Sequence, residues 1–358
     1  MINISEDPAI NGFRIFTDKT EFRILQLTDL HYWHLGIMDR YEMTRIRDDL
    51  CEQFDVDFIV NTGDMFCRSI YFMIKRIMRG FDKIIGKCAP WTFAWGNHDL
   101  ENFKKDNWFG TFDDTESYLK NLKNCYYRPT RRYIEDYECK DAQRPDFEDD
   151  AVTKPKNGEI SSNKFDGFYG GNFQFLLMNP KTNKPAWQFF ILNTRRWYSV
   201  PWKALCWMKD ATATFDNKIP AIAFYHVPNK EYKTIWDKDI AVGFKRENVC
   251  YEKDHGLLHE TFKQMGNVKA AFTGHDHVND YFGTYEGIEY VYGRKSGTGG
   301  YGSTNKQVKV TKPNQKKVRV GGKLIKIDLS REDPLNNGLE HYSIFYDGSV
   351  WKPTEKVL

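Results

Sequence analysis

Five polar strings in this chain each stand at the carboxyl end of a short apolar run. Asp29-Leu30-His31 follows Phe22 to Leu27 (FRILQL), Gly63-Asp64 follows Asp57 to Asn61 (DFIVN), and Gly96-Asn97-His98-Asp99 follows Trp91 to Trp95. His226 closes Ala221 to Tyr225, and the pair His275 and His277 in TGHDH follows Val268 to Phe272. Short runs of this composition read as strands, and the helical spacing of Tyr41 to Phe54 and Ile70 to Ile85 places a helix between each of the first three. The result is a βαβαβ pattern and an α/β fold class. In such sheets the loops beyond the carboxyl ends of the strands are where ligands converge, so the five strings are expected to share one rim.

The residue types at that rim define its chemistry. Asp29 and His31 can point to one place from a single strand end, and Asp64, after a glycine that lets the chain turn sharply, is the natural carboxylate to bridge two cations. Asn97 adds a neutral oxygen donor, and His226, His275 and His277 add imidazole nitrogens. Mixed oxygen and nitrogen donors without thiolate favour Mn, Fe, Zn or Co over Ca and argue against a structural zinc site. Two such ions about 3.5–4 Å apart would lower the pKa of a shared water and clamp the oxygens of an in-line displacement at phosphorus. His98, between Asn97 and Asp99, is expected beside the ions, kept cationic by Asp99, as the acid that protonates the leaving oxygen.

Other features bound the remaining possibilities. The 358 residues suit one large domain over 1–358, and 52 Lys and Arg against 49 Asp and Glu give a net charge of only +3, with no general pull toward nucleic acid or an anionic membrane. The seven cysteines, Cys51, Cys67, Cys88, Cys125, Cys139, Cys206 and Cys250, include no C-x-x-C pair and are expected as unpaired thiols in a reducing, cytoplasmic setting. No apolar stretch approaches membrane-spanning length, and no secretory leader pattern opens the chain. A charged segment near 137–164 reads as a surface insertion, with Glu138 to Asn163 dispensable for the core. The basic, Val-alternating stretch from Lys306 to Lys326, in a region reaching 329, reads as an amphipathic hairpin with a solvated cationic face. Trp91, Trp95, Trp187 and Trp202 are expected in the core.

The five strings, taken in order, resemble the pattern of the calcineurin-like metallophosphoesterases: D-x-H, G-D-x, G-N-H-D/E, a lone His and G-H-x-H. Within that superfamily VKAAFTGHDHVNDYFG and YGRKSGTGGYG look like an intracellular branch related to inactive purple acid phosphatases and fungal cell-cycle phosphatases. The resemblance implies a four-layer α-β-β-α sandwich of two mixed β-sheets flanked by helices. It assigns one metal to Asp29, His31, Asp64 and His277 and the second to Asp64, Asn97, His226 and His275, with His98 contacting phosphate. Cys67 stands where purple acid phosphatases carry a tyrosine ligand, so a tyrosinate-to-iron colour is not expected; GDMFCRS departs from the G-D-x-V-D-R-G of Ser/Thr phosphatases.

The resulting expectation is a phosphoric monoester hydrolase with two metal ions (Mn, Fe or Zn), acting on a phosphoprotein or a small phosphorylated metabolite. The alternatives are a phosphodiesterase on cyclic nucleotides or other diesters, and a non-catalytic protein-binding scaffold. Asn97, His98 and Arg195 are the substrate-contacting candidates; Arg195 and Arg196 follow the strand FFILN and could guide a phosphate, the alternative being a solvated loop. The Gly-rich YGRKSGTGGYG could shape the pocket rim or serve only as a turn.

Overall fold

The run FRILQL lies in the strand Glu21–Leu27, and the next two runs form Phe58–Asn61 and Trp91–Phe93, all three parallel. Three later strands extend this sheet, each antiparallel to its neighbour, giving the order Val350–Trp351, Leu339–Phe345, Gly321–Asp328, Glu21–Leu27, Phe58–Asn61, Trp91–Phe93. The structure is a computed structural model, described for residues 2–67, 69–101, 111–139, 170–195, 199–215, 219–251, 254, 256–304, 317–330 and 338–357.

A second, ten-stranded mixed sheet has at its centre Pro185–Ile191, Ala221–Phe224, Val268–Thr273 and Ile288–Tyr292, mutually parallel. Alternation along these strands separates two cores. Phe189, Ile191, Ile222 and Phe224 face the first sheet, whereas Phe190, Ala221 and Ala223 pack with Trp207, Met208, Tyr232 and Phe262 of the helices Trp202–Ala213, Glu231–Asp237 and Leu257–Met265. On the outer side of the first sheet, Tyr71–Ile84 buries Ile74, Ile77, Met78 and Phe81 at helical spacing. The layers are therefore helices, sheet, sheet and helices, the α/β sandwich expected.

Several boundaries differ from the sequence reading. The first helix starts earlier, at Ile37–Arg45, and continues through π-helical turns over Ile46–Glu52. The stretch Tyr281 to Tyr292 is a hairpin of Asp280–Tyr285 and Ile288–Tyr292. Trp91, Trp95 and Trp187 are buried and Trp202 is half-buried. Of the charged insertion, 140–164 lies outside the described residues; its start is anchored, because Tyr137 donates to Asp210 Oδ2 at 2.6 Å and Cys139 forms a disulfide with Cys206. That bridge corrects the expectation that all seven cysteines are unpaired; Cys51, Cys67, Cys88, Cys125 and Cys250 form no disulfide.

The basic hairpin expected over 306–329 is also corrected, as far as it is described. Residues 305–316 lie outside the described residues, but Gly321–Asp328 is an internal strand, hydrogen-bonded on one side to Glu21–Leu27 and on the other to Leu339–Phe345. Its Lys323 is buried between the sheets. There Nζ reaches Asp280 Oδ1 at 2.6 Å and Ser343 Oγ at 2.9 Å, while Arg294 Nη1 holds Asp280 Oδ2 at 2.9 Å. Burial opposes the charge on Lys323 and lowers its pKa, with Asp280 pulling the other way. Lys323 stands on the face of its strand that meets the second sheet, where Asp280 lies, which is why it has no route to water.

This buried cluster fastens the two sheets, and removing its one carboxylate leaves two cations uncompensated. Asp280→Ala should cost about 3–5 kcal/mol in urea unfolding. Lys323→Met, which leaves Arg294 to neutralise Asp280, should cost clearly less; equal losses would show that the three groups do not act as one cluster.

Candidate metal centre

The strand Glu21–Leu27 ends in Thr28, and the chain then turns through Asp29 at φ 56° and His31 at φ 53°. Asp64 at φ 53° and His275 at φ 76° share this left-handed conformation, which non-glycine residues adopt only when their surroundings impose it. The surroundings here are backbone hydrogen bonds between the rim loops. Asp29 N donates to Gly63 O at 3.1 Å, His31 N to Asp64 O at 2.9 Å and Gly274 N to His226 O at 3.1 Å. Gly96 must be glycine for a simple reason: a Cβ there would lie 2.2 Å from Asp64 Oδ1.

These turns bring all seven expected donors together. Asp29, His31, Asp64 and His277 offer ligand atoms within 4.8 Å of one another, and Asp64, His226 and His275 do the same, with Asp64 common to both groups. His277 Nε2 lies 2.9 Å from His31 Nε2 and 3.4 Å from Asp29 Oδ1; His31 Nε2 lies 3.5 Å from Asp64 Oδ2. On the other side His226 Nε2 is 3.2 Å from Asp64 Oδ2 and 3.1 Å from Asn97 Oδ1, which is itself 2.9 Å from His275 Nδ1. Two donors about 2.1 Å from one ion at near-tetrahedral or octahedral angles stand roughly 3.0–3.4 Å apart, close to these separations.

The tautomers fit the same use. His226 Nδ1 lies 2.8 Å from the Thr62 carbonyl and His277 Nδ1 2.9 Å from the Tyr301 carbonyl. A carbonyl only accepts, so each Nδ1 carries a proton and each Nε2 is the atom turned into the cluster, where a cation would take the place of any second proton. Asp29 Oδ1 is buried there without a hydrogen-bond partner. Burial opposes charge on His226, yet the adjacent Asp64 carboxylate raises its pKa to about 9; burial and then repulsion from His226 take His275 down to about 3. The donor set, its lone pairs and its orphaned oxygen all suit a pair of cations sharing Asp64.

His98 stands at the edge, half-exposed, on the short helix Asn97–Leu100. Its N–H donates to Asp64 Oδ1 at 2.9 Å, and its ring lies 5.1 Å from that of His31, centroid to centroid. The carboxylate on its ring is Glu101, with Oε2 2.8 Å from Nδ1, which corrects the expected His98–Asp99 pairing. Burial disfavours the imidazolium, but Glu101 and then Asp64 outweigh it, so the His98 pKa is raised. Asp99 is buried and accepts N–H bonds from Asp64 at 2.8 Å, Gly96 at 2.9 Å and Phe66 at 3.1 Å, tying the two motif loops to each other.

Four contributors escaped the sequence reading. Thr62 and Tyr301 act through main-chain carbonyls, which no side-chain motif reveals. Glu101 was legible in principle, three residues beyond His98 where a helix brings side chains together. Lys295, in the Gly-rich stretch, is buried and donates to the Asp29 carbonyl at 2.8 Å, holding that left-handed turn; burial lowers its pKa to about 8 against the pull of Asp29. The same stretch closes over the ligands. Gly300, at φ 69°, leaves room for only 3.0 Å between a Cβ and His277 Cε1, and Tyr301 stacks on His277 at 4.0 Å. Arg195 is buried, with Nε 3.2 Å from the Ser199 carbonyl of its own loop, and Arg196 lies outside the described residues.

Comparison with known proteins agrees with this arrangement. Residues 22–279 match the family model described as Calcineurin-like phosphoesterase. The chain is 27% identical over 320 residues to a protein of Arabidopsis thaliana named probable inactive purple acid phosphatase 28, covering 81% of this chain and 74% of that one. It is 24% identical over 302 residues to phosphatase DCR2 of Saccharomyces cerevisiae, covering 74% of this chain and 45% of the yeast protein. The solved purple acid phosphatase PPD1 of yellow lupin overlaps 96% of this chain and 56% of its own, at 13% identity and a TM-score of 0.47. With the match spanning all five motif strings, the chain belongs to the calcineurin-like phosphoesterase family, a family of phosphoric ester hydrolases.

Proposed function

We propose that this protein is a dinuclear-metal-dependent phosphoric monoester hydrolase whose substrate is a phosphoprotein or a small phosphorylated metabolite. The observation that carries the reading is the convergence of seven donors into two groups sharing Asp64, with two imidazoles locked in the metal-binding tautomer by main-chain carbonyls. Asp29, His31, Asp64 and His277 would hold one ion, and Asp64, Asn97, His226 and His275 the other. Mn, Fe and Zn all suit these donors. When bound, the ions supply the charge that activates water and steadies an in-line displacement at phosphorus.

The chain's own residues do the rest. His98, held by Glu101 and close to Asp64, is placed to contact the phosphoryl oxygens and to protonate the leaving alkoxide. Asp99 is a positioning residue in this reading, because its oxygens serve the backbone of the ligand loops. Lys295 and Tyr301 keep Asp29 and His277 in place. Although the Arabidopsis relative carries the word inactive in its name, every expected donor type is present here, which favours catalysis over a scaffold. Among the described residues no helix is long and apolar enough to cross a membrane. The five cysteines without a disulfide favour a reducing compartment such as the cytoplasm, and the Cys139–Cys206 bridge weighs against it.

With Mn added, the protein should hydrolyse p-nitrophenyl phosphate in preference to bis-p-nitrophenyl phosphate; the reverse preference would establish the diester reading. Asp64→Ala should lose both ions by elemental analysis and all turnover with them. His98→Ala, in contrast, should keep its metal and lose about 10²–10⁴ in kcat, and an emptied site in that variant would make His98 a ligand. Gly300→Ala should weaken metal affinity roughly 10–100-fold by crowding His277 and His31, read by calorimetric titration.

A further inference from the structure

The helix Tyr71–Ile84 turns its apolar residues inward and leaves a single outward face, Phe72, Lys75, Arg76, Arg79 and Lys83, at helical spacing. Its one carboxylate, Asp82, is buried and spent on Trp91 Nε1 and Asn124 N. These four cations and Arg40 line a cavity of about 440 Å³, together with Leu35, Phe72, Gly80 and Ile84. Among the described residues no carboxylate lies within 4.0 Å of any of the five, in a chain whose net charge is only +3. Lys75 rests instead over the rings of Tyr71 and Tyr118, and Arg79 donates to the Tyr118 hydroxyl. Asp114 feels the charge of Lys75, but the face as a whole carries a surplus of positive charge.

Around it stands an apolar fringe. Ile37 is 87% exposed, Met38 71%, Trp33 and Phe72 63%, and Tyr41 and Ile70 are exposed as well. They belong to one region: Ile37 and Tyr41 share a face of the helix Ile37–Arg45 with Arg40, Ile70 precedes the cationic helix, and Ser69 Oγ donates to the Trp33 carbonyl at 2.7 Å. So much contiguous apolar surface marks an interaction site. Its composition points to one kind of occupant. Exposed cations and the exposed Trp33, Ile37, Met38 and Phe72 share one face, a combination whose charge and apolarity are complementary to an anionic surface with hydrocarbon beneath it. A bilayer rich in anionic phospholipid offers both, with headgroup phosphates for the cations and hydrocarbon below them for the apolar groups.

We propose that this face docks the protein on a membrane rich in anionic phospholipid, with headgroup phosphates in the cavity lined by Arg40, Lys75, Arg76, Arg79 and Lys83 and with Trp33, Ile37, Met38 and Phe72 entering the interface. No spanning segment is required. Trp33 lies two residues beyond His31, so docking holds the rim of the metal centre near the bilayer surface. The net charge alone hides this patch, because four of the cations gather on one helix face that carries no exposed carboxylate.

The test uses the full chain and vesicle sedimentation, with no reliance on turnover. Wild type should sediment with equimolar phosphatidylcholine and phosphatidylserine vesicles and stay in solution with phosphatidylcholine alone. The triple variant Arg76→Gln, Arg79→Gln, Lys83→Gln should bind on the order of a hundredfold more weakly, and Ile37→Ser, Met38→Ser roughly tenfold more weakly. All five substituted residues are exposed, and unchanged urea unfolding checks that both variants are folded. Asp64→Ala should sediment like wild type, which separates docking from the metal centre. Equal sedimentation of wild type with both vesicle types, binding untouched in both surface variants, or capture of poly-glutamate without capture of vesicles would each overturn the proposal.

Discussion

The site is organised around one buried carboxylate that ties backbone to backbone. Asp99 receives N–H bonds from Asp64, Phe66 and Gly96, so the loop after Phe58–Asn61 and the loop after Trp91–Phe93 cannot move apart. Burial and then the charge of Asp64 push the pKa of Asp99 to about 8, against the pull of those N–H donors. A group so costly to bury persists because it fixes the backbone of the residue shared by both donor groups. The left-handed turns at Asp29, His31 and Asp64 depend on this lacing, and the donor geometry depends on the turns.

A second layer of buried charge connects the site to the sandwich. Lys295 ties the Gly-rich loop to Asp29, and the neighbouring Arg294 joins Lys323 on Asp280 between the sheets. The loop over the metal centre is thereby continuous with the ionic cluster that joins the two layers. Breaking either side disturbs residues whose own desolvation is offset only by the partner, so the two are coupled through one stretch of chain, Arg294 to Tyr301.

Much of this was legible from particular residues. FRILQL, DFIVN and AIAFY name their strands by composition, and Asp29, His31, Asp64, Asn97, His226, His275 and His277 could be named because each follows such a run. The Lys306 to Lys326 stretch misled because alternation reveals which residues share a face and says nothing about whether that face meets water. Lys323 is buried because its face of the strand meets the second sheet, a fact of sheet packing. The Cys139–Cys206 bridge joins residues 67 apart, a pairing that spacing does not encode.

The sequence by itself determined the candidate donors, their order and the α/β layer that carries them, because strand periodicity and side-chain chemistry are local properties. Only the tertiary structure decided which groups serve those donors. Glu101 in place of Asp99 on His98, the Thr62 and Tyr301 carbonyls behind two imidazoles, Lys295 beneath Asp29, and the gathering of five cations beside an exposed apolar fringe all arise from how distant strands and helices are set against one another. Hydrogen bonds and charges act over a few ångströms in space, and that distance is fixed by packing.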